Sequence, residues 1–151
     1  MRHEGGLERL ACIAGTCSFV LWDNPVPVVA ALVEWAGKVV LARNVAWPEK
    51  QFGLITGYLE RNEAPEAAVA REVMEELGLA AHAISLIGLY PFESKNQLLI
   101  AYHVVAQGRI VLNEELVEFR LIEPERLKAW DFGTGLAVSD WLNARSGQQA
   151  P

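Results

Sequence analysis

Three glutamates near the middle of the chain have a spacing that could bind a metal ion. Glu72, Glu75 and Glu76 lie in a segment whose apolar residues recur every three or four positions, which predicts a helix. At ~100° per residue, Glu76 lies about 40° and Glu75 about −60° from Glu72, so the three carboxylates share one face. Carboxylate oxygens are ligands that Mg²⁺ and Mn²⁺ prefer, and such a cation bridges to substrate phosphates. The spacing therefore indicates phosphate chemistry assisted by a divalent cation.

The same segment concentrates negative charge. Residues 57–79 contain six acidic and two basic side chains, a net −4, within a chain of net charge −6. Like charges at i,i+4 destabilise a helix, and carboxylates toward its C-terminal end oppose the helix dipole. A solvated acidic face with Arg71 as an ion-pair partner is the alternative that needs no metal. A bound cation would remove the repulsion, which is why we favour a metal site.

The elements that must position these glutamates can be predicted from the apolar pattern. The chain has 151 residues, which fits one domain, and 52% of them are hydrophobic. The helix should cover residues 64–77, with Pro65 in its first turn, Gly78 just past its end, and Met74 among the residues facing a sheet. Strands are predicted at 28–33, 38–43, 51–59, 84–91, 97–106 and 118–122, the first two as a β-hairpin, and helices at 124–130 and 136–145. This order predicts a mixed α/β sandwich.

The acidic segment is similar to the signature box of the Nudix hydrolases. Gly57, five residues, Glu63 and seven residues precede the run Arg71-Glu72-Val73-Met74-Glu75-Glu76-Leu77-Gly78-Leu79, which matches every fixed position of that box. The resemblance covers roughly residues 25–130. It implies the fold class α/β, as a Nudix-type α/β/α sandwich with a mixed β-sheet. It also implies a metal-dependent pyrophosphohydrolase that cleaves a nucleoside diphosphate linked to another moiety.

The resemblance implies a role for each glutamate of the helix. Glu72 and Glu76 would be principal metal ligands, and Glu75 a third ligand or the group that positions the water. The backbone carbonyl of Gly57 would join the metal shell. Mg²⁺ or Mn²⁺ is the expected cofactor.

Further residues would support the catalytic step. Glu63 and Arg71 would form a pair that orients the glutamates of the helix. The stretch 113–118 resembles the acidic segment that supplies a general base in many relatives, so Glu115 is our candidate base and Glu118 the next. A polar loop before a strand is the alternative reading of both. Ala64 stands where relatives often have Ser or Thr as a helix cap, which should cost about 1 kcal/mol of helix stability.

The substrate is indicated less directly. Residues 89–94 are similar to a degraded version of a stretch found in the NADH pyrophosphatase branch, which favours ADP-ribose or an NADH-like dinucleotide. Tyr58, Tyr90 and Phe92 are candidate substrate-binding residues, because aromatic side chains stack on bases with about 1–3 kcal/mol per base. The alternative for each is an ordinary place in the core.

The N-terminal segment resembles the end of the zinc ribbon that precedes the Nudix domain in that branch. The first cysteine pair is missing, and four residues separate Cys12 from Cys17, so we do not expect zinc. We predict an N-terminal segment at 1–24, a Nudix domain at 25–145 and a frayed tail at 146–151.

Two further classes of function are left as alternatives. The chain could be a Nudix-fold regulatory module that binds a nucleotide without turnover, or a house-cleaning nucleoside triphosphate pyrophosphatase. The retained Glu63, Arg71 and helix glutamates favour the enzyme. An acidic chain is not expected to bind nucleic acid, and no segment is long and apolar enough to enter a membrane. A cytoplasmic location is expected, and the apolar stretch 19–22 could form a homodimer interface.

Overall fold

The computed structural model describes residues 1–148. Within them, two α-helices pack on opposite faces of a six-stranded sheet, and a two-stranded sheet precedes it. The strands are β1 (Arg2–Glu4), β2 (Leu7–Arg9), β3 (Val26–Trp35), β4 (Lys38–Asn44), β5 (Ile55–Tyr58), β6 (Ala80–Phe92), β7 (Gln97–Gln107) and β8 (Leu116–Ile122). The helices are α1 (Pro65–Leu77) and α2 (Gly135–Gln148), with 3₁₀ turns at Glu93–Lys95 and Pro124–Arg126.

The large sheet is mixed, as predicted. Its order is β6-β7-β3-β4-β8, and β5 pairs with β3 outside that path. β3 runs parallel to β7 and antiparallel to β4 and β5, and the predicted β3–β4 hairpin is confirmed. Along one edge of β3, residues 28–31 pair with β5 and residues 33–35 pair with β4. This arrangement places β5, which carries Gly57, at the centre of the fold.

Both faces of β3 are buried, one against each helix. Successive side chains of a strand point to opposite sides, so odd- and even-numbered residues lie on different faces. Its odd-numbered residues pack in the same cluster as α1, and its even-numbered residues pack with α2. The α1 side contains Val29, Ala31, Val33, Val69, Val73 and Leu77. The α2 side contains Val28, Ala30, Leu32, Ala137, Val138 and Trp141. A strand buried on both faces explains the continuous apolar run at 28–33.

The ends of α1 follow the sequence prediction. Ala64 is the N-cap and makes no side-chain capping bond, while Pro65 begins the helix. Gly78 ends it with a φ of 68°, and its N–H donates to the carbonyl of Met74 at 2.9 Å. The side chain of Met74 was predicted to face the sheet, but it is 49% exposed. That prediction is wrong, because the buried sector of α1 is centred nearer to the glutamates.

Two other predictions about the C-terminal region need correction. The helix predicted at 124–130 is a single 3₁₀ turn, after which Leu127 takes an extended backbone with ψ 127° and buries its side chain. The helix predicted at 136–145 is confirmed and continues to Gln148. Residues 146–148 of the predicted frayed tail are therefore helical, and residues 149–151 lie outside the described part. Within residues 1–148, neither helix is long and apolar enough to cross a membrane.

Candidate active site

Gly57 lies directly against the side chain of Glu72. A Cβ atom at position 57 would lie 2.0 Å from Cδ and 2.1 Å from Oε1 of Glu72. Any side chain at this position of β5 would therefore displace the Glu72 carboxylate. The close approach of β5 to α1 needs glycine at position 57.

Arg71 connects the carboxylates of α1 to the preceding loop. Its Nε and Nη2 donate to the two oxygens of Glu63 at 2.8 and 3.0 Å. Its Nη1 donates to Glu72 at 2.7 Å and to Glu75 at 3.2 Å, and its Nη2 also donates to the carbonyl of Tyr58 at 3.0 Å. The hydrogen bonds from Arg71 lower the pKa of Glu63 to about 2. The predicted Glu63–Arg71 pair thus exists as a two-pronged ion pair.

Glu76 is the buried member of the acidic cluster. It is 6% exposed, and within residues 1–148 it forms no salt bridge. Burial, followed by the charges of Glu72, Glu115 and Glu75, raises its pKa to about 8. Burial also raises the pKa of Glu72, although Arg71 acts in the opposite direction.

Glu115 reaches the cluster because a loop docks on the end of α1. The N–H groups of Val111 and Asn113 donate to the carbonyls of Leu77 and Glu76 at 2.8 and 3.2 Å. These bonds satisfy carbonyls that the last turn of a helix leaves free. The Asn113 side chain then accepts the N–H of Glu115 at 3.0 Å, and Glu115 lines the same cleft as the helix glutamates.

Glu118, the second candidate base, lies elsewhere. Its carboxylate accepts a hydrogen bond from Arg43 Nε at 2.9 Å between neighbouring strands. It does not belong to the residues that line the cleft. We therefore retain Glu115 alone as the candidate base.

The glutamates open into a cleft of about 870 Å³. Gly57, Tyr58, Arg71 and Phe92 line it together with Glu72, Glu75, Glu76 and Glu115. Sequence reasoning missed several further lining residues, which come from separate parts of the chain: Trp47, Lys50, Phe52, Lys95, Gln97, Trp130 and Phe132. The Trp- and Pro-containing loop at 44–50 was the one signal that could have indicated part of this wall. Tyr58 is 60% exposed and Phe92 half-buried, so both can contact a ligand.

Tyr90 does not line this cleft. It is 9% exposed, packs with Ala137 on α2, and its hydroxyl donates to Asp140 Oδ2 at 2.6 Å. The prediction that Tyr90 binds substrate is therefore corrected to a core position. The reason is that α2 covers this part of β6.

The donor set suits a hard divalent cation. It consists of the carboxylates of Glu72, Glu75 and Glu76 next to the backbone of Gly57, and Glu76 is buried without a cationic partner. Oxygen-only ligands of this kind fit Mg²⁺ or Mn²⁺. Within residues 1–148, no three acidic, His or Cys side chains are already gathered around one point in metal-ligand geometry. Arg71 is bonded to two of the carboxylates, so a cation would compete with it.

The sequence also matches a known family. A family model described as NUDIX domain matches residues 24–139. The chain belongs to the NUDIX family. This confirms the resemblance seen in the signature box, and the mixed α/β sandwich agrees with it.

Curated relatives and solved structures agree with this family. The chain is 34% identical over 147 residues to the NAD-capped RNA hydrolase NudC of Mycobacterium bovis (strain BCG / Pasteur 1173P2). The matched region covers 93% of this chain and 44% of that protein. The chain thus spans less than half the length of this relative. The crystal structure of a NUDIX hydrolase from Nitrosomonas europaea superposes with a TM-score of 0.72 at 21% identity, covering 93% of this chain and 82% of that one. An ADP-ribose pyrophosphatase from Streptococcus suis 89-1591 gives a TM-score of 0.66 at 17% identity, covering 81% and 92%. At these identities the structural matches show the NUDIX fold.

Proposed function

We propose that this NUDIX chain hydrolyses a phosphoanhydride bond in a nucleoside diphosphate linked to another moiety, by attack of water on phosphorus. The observation that carries the proposal is one cleft that contains Glu72, Glu75, Glu76 and Glu115 and has aromatic walls. Four carboxylates alone would repel a diphosphate. Bound Mg²⁺ or Mn²⁺ would offset this charge, and such ions would supply neutralisation of the phosphate oxygens and a more acidic bound water.

Each group of residues in the cleft would have a separate role in this reaction. Glu72 and Glu76, with Glu75 and the carbonyl of Gly57, would hold the cations. Arg71 and Glu63 keep the carboxylates of α1 against the loop that follows β5. Glu115 is exposed to the cleft and tethered by Asn113, which suits a base that takes a proton from the attacking water.

ADP-ribose or an NADH-like dinucleotide is the substrate class that we favour. A curated relative is named an NAD-capped RNA hydrolase, and a structural neighbour is named an ADP-ribose pyrophosphatase. The exposed ring of Tyr58 and the half-buried ring of Phe92 offer surfaces on which a base could stack. Because the curated relative is named an NAD-capped RNA hydrolase, NAD-capped RNA is also a substrate to be tested. The absence of nucleic-acid binding therefore stays a prediction.

A substrate panel tests the proposal. The chain is incubated with NADH, NAD⁺, ADP-ribose, NAD-capped RNA, dinucleoside polyphosphates and nucleoside triphosphates, in Mg²⁺ or Mn²⁺, and products are identified by mass. We expect cleavage within the diphosphate of ADP-ribose or NADH, and none after chelation by EDTA. Binding without cleavage of every compound would instead support the regulatory module, and preference for triphosphates the house-cleaning pyrophosphatase.

Assembly into a homodimer is a separate proposal. Phe19, Leu21 and Trp22 of the N-terminal segment are 62%, 45% and 47% exposed. Pairing of two copies through this surface would bury them. Light scattering that gives the mass of one chain at micromolar concentration would remove this proposal.

A further inference from the structure

The N-terminal segment is bonded to one wall of the cleft through two side chains. Nδ2 of Asn96 donates to the backbone carbonyl and to Oδ1 of Asp23, each at 3.1 Å. The carbonyl of Asn96 accepts the N–H of Val26 at 2.9 Å. We call this group of bonds the Asp23–Asn96 clamp.

The clamp depends on an unusual backbone at both residues. Asp23 has a φ of 51° and Asn96 a φ of 48°. This left-handed region is disfavoured for most residues but is accessible to Asn, Asp and Gly. Asn96 also ends the 3₁₀ turn at Glu93–Lys95, since its N–H donates to the carbonyl of Glu93 at 3.1 Å. Side-chain bonding and backbone conformation therefore act together to fix this turn.

The residues on either side of Asn96 line the cleft. Lys95 places its Nζ 5.4 Å from the centre of the Phe92 ring. Gln97 donates from Nε2 to the hydroxyl of Tyr58 at 3.4 Å. Because Lys95 and Gln97 both belong to the cleft wall, the clamp fixes the backbone that presents them.

Lys95 is an available cation in an acidic cleft. The basic residues that line the cleft within residues 1–148 are Lys50, Arg71 and Lys95. Arg71 is bonded to Glu63, Glu72 and Glu75. Within the same residues, Lys95 forms no salt bridge. A lysine ammonium binds phosphate as a compact point charge.

We propose that Lys95 is a specificity-determining residue that binds a phosphate group of the substrate, and that the Asp23–Asn96 clamp positions it. The proposal rests on the proposed function only for the identity of the substrate. Asp23 and Asn96 are positioning residues, since they act through Lys95. The N-terminal segment thereby contributes to substrate affinity, although it lies outside the signature box.

The test compares substitutions in the turn with matched substitutions elsewhere. The variants are Lys95→Ala, Lys95→Arg, Asp23→Ala and Asn96→Gly, of which the last permits the left-handed backbone but lacks the amide. The controls are Lys128→Ala, an exposed lysine that is not part of the cleft wall, and Trp35→Phe, which removes a hydrogen bond of 2.9 Å to the carbonyl of Gly108. KM and kcat are measured with ADP-ribose and Mg²⁺, and the Kd of ADP is measured by calorimetry with Ca²⁺.

We expect Lys95→Ala to raise the KM and the Kd about threefold to tenfold, with kcat within about twofold of the wild type, as for loss of one partly exposed charged contact. Lys95→Arg should stay near the wild type because it keeps the charge. Asp23→Ala and Asn96→Gly should raise KM in the same direction, and both controls should leave it unchanged. A role in stability alone would instead lower the melting temperature and leave KM unaltered.

The failure of this inference differs from the failure of the proposed function. If ADP-ribose is cleaved but Lys95→Ala changes neither KM nor Kd, the inference is wrong and the function stands. If no compound of the substrate panel is cleaved but ADP binding weakens in Lys95→Ala, the function is wrong and the inference stands. If the wild type does not bind ADP, the inference is overturned directly.

Discussion

At the scale of single residues, Glu76 has the environment least favourable to a charged carboxylate. Its carboxylate is buried, and the carboxylates of Glu72, Glu75 and Glu115 raise its pKa further. A buried carboxylate without a cationic partner is costly to ionise. A metal ion would compensate this cost, so the side chain destabilises the metal-free protein and serves the metal-bound one.

The pH dependence of stability follows from that environment. The pKa of Glu76 is raised from 4.5 to about 8 in the folded chain, so the folded state binds this proton more tightly than the unfolded state. The stabilisation is complete below about pH 4.5 and is lost as the pH rises through about 8. In EDTA, the free energy of unfolding of the wild type should fall over this range relative to that of Glu76→Gln. Urea denaturation at several pH values measures it, and parallel curves for the two proteins would contradict the account.

The same residue should be essential for turnover. We expect Glu76→Gln to remain folded and to lose about 100-fold or more in kcat/KM, because metal-assisted charge stabilisation is worth several kcal/mol. Glu66→Gln is the matched control, since Glu66 is an exposed acid in the first turn of the same helix. Steady-state kinetics with Mg²⁺ on the best substrate of the panel checks this. Equal activity of the two variants would sink the assignment.

At the scale of elements, the site depends on the contact between β5 and α1. A methyl group at position 57 would meet the Glu72 side chain at 2.0 Å. Gly57→Ala should therefore displace Glu72 and reduce kcat/KM about tenfold or more, in line with losses seen when groups that orient metal ligands are changed. Gly147→Ala is the control, because a Cβ there would meet nothing within 4 Å. Kinetics should show a larger loss in Gly57→Ala at limiting Mg²⁺ than at saturating Mg²⁺, because a displaced Glu72 binds the cation more weakly. Wild-type values at both concentrations would argue against a role of this contact in the site.

The start of α1 offers a test of stability that is independent of catalysis. Ala64 occupies the N-cap without a side-chain hydrogen bond. Ala64→Ser should raise the free energy of unfolding by about 1 kcal/mol, because a serine oxygen can accept a free N–H of the first turn. Chemical denaturation gives this value. A change of kcat in the same variant is not expected, and its appearance would link the cap to the site.

Much of this arrangement could be predicted at the level of elements. The apolar spacing together with Pro65 and Gly78 predicted α1 to within a residue at its start, and the alternation of burial on β3 explains its apolar run. The helical angles of about 100° per residue placed the three glutamates on one face, as found. They also placed the centre of the buried face of α1 too far from these glutamates. Met74 is exposed and Glu76 is buried, and a loop docks on the carbonyls of Glu76 and Leu77 at the end of α1. Docking between distant segments leaves no periodic signal.

At the scale of the whole molecule, the structure shows where the net charge of −6 is concentrated. Most of it lies in the signature box, and the helix glutamates line one cleft with Glu115. The aromatic wall of that cleft is assembled from loops around Trp47, Phe92 and Trp130, which the sequence could not bring together. Tyr90 shows the same limit, since it shares the strand face of Phe92 and yet is covered by α2.

The central claim is that water attacks phosphorus in this cleft with the help of a divalent cation. The most direct test is hydrolysis of ADP-ribose or NADH in H₂¹⁸O with Mg²⁺, followed by mass analysis of both products. We predict one ¹⁸O atom on a phosphate of one product, no products in EDTA, and product formation slowed by about 100-fold or more with Glu76→Gln. Label in the sugar, or cleavage that persists without a divalent cation, would contradict the account.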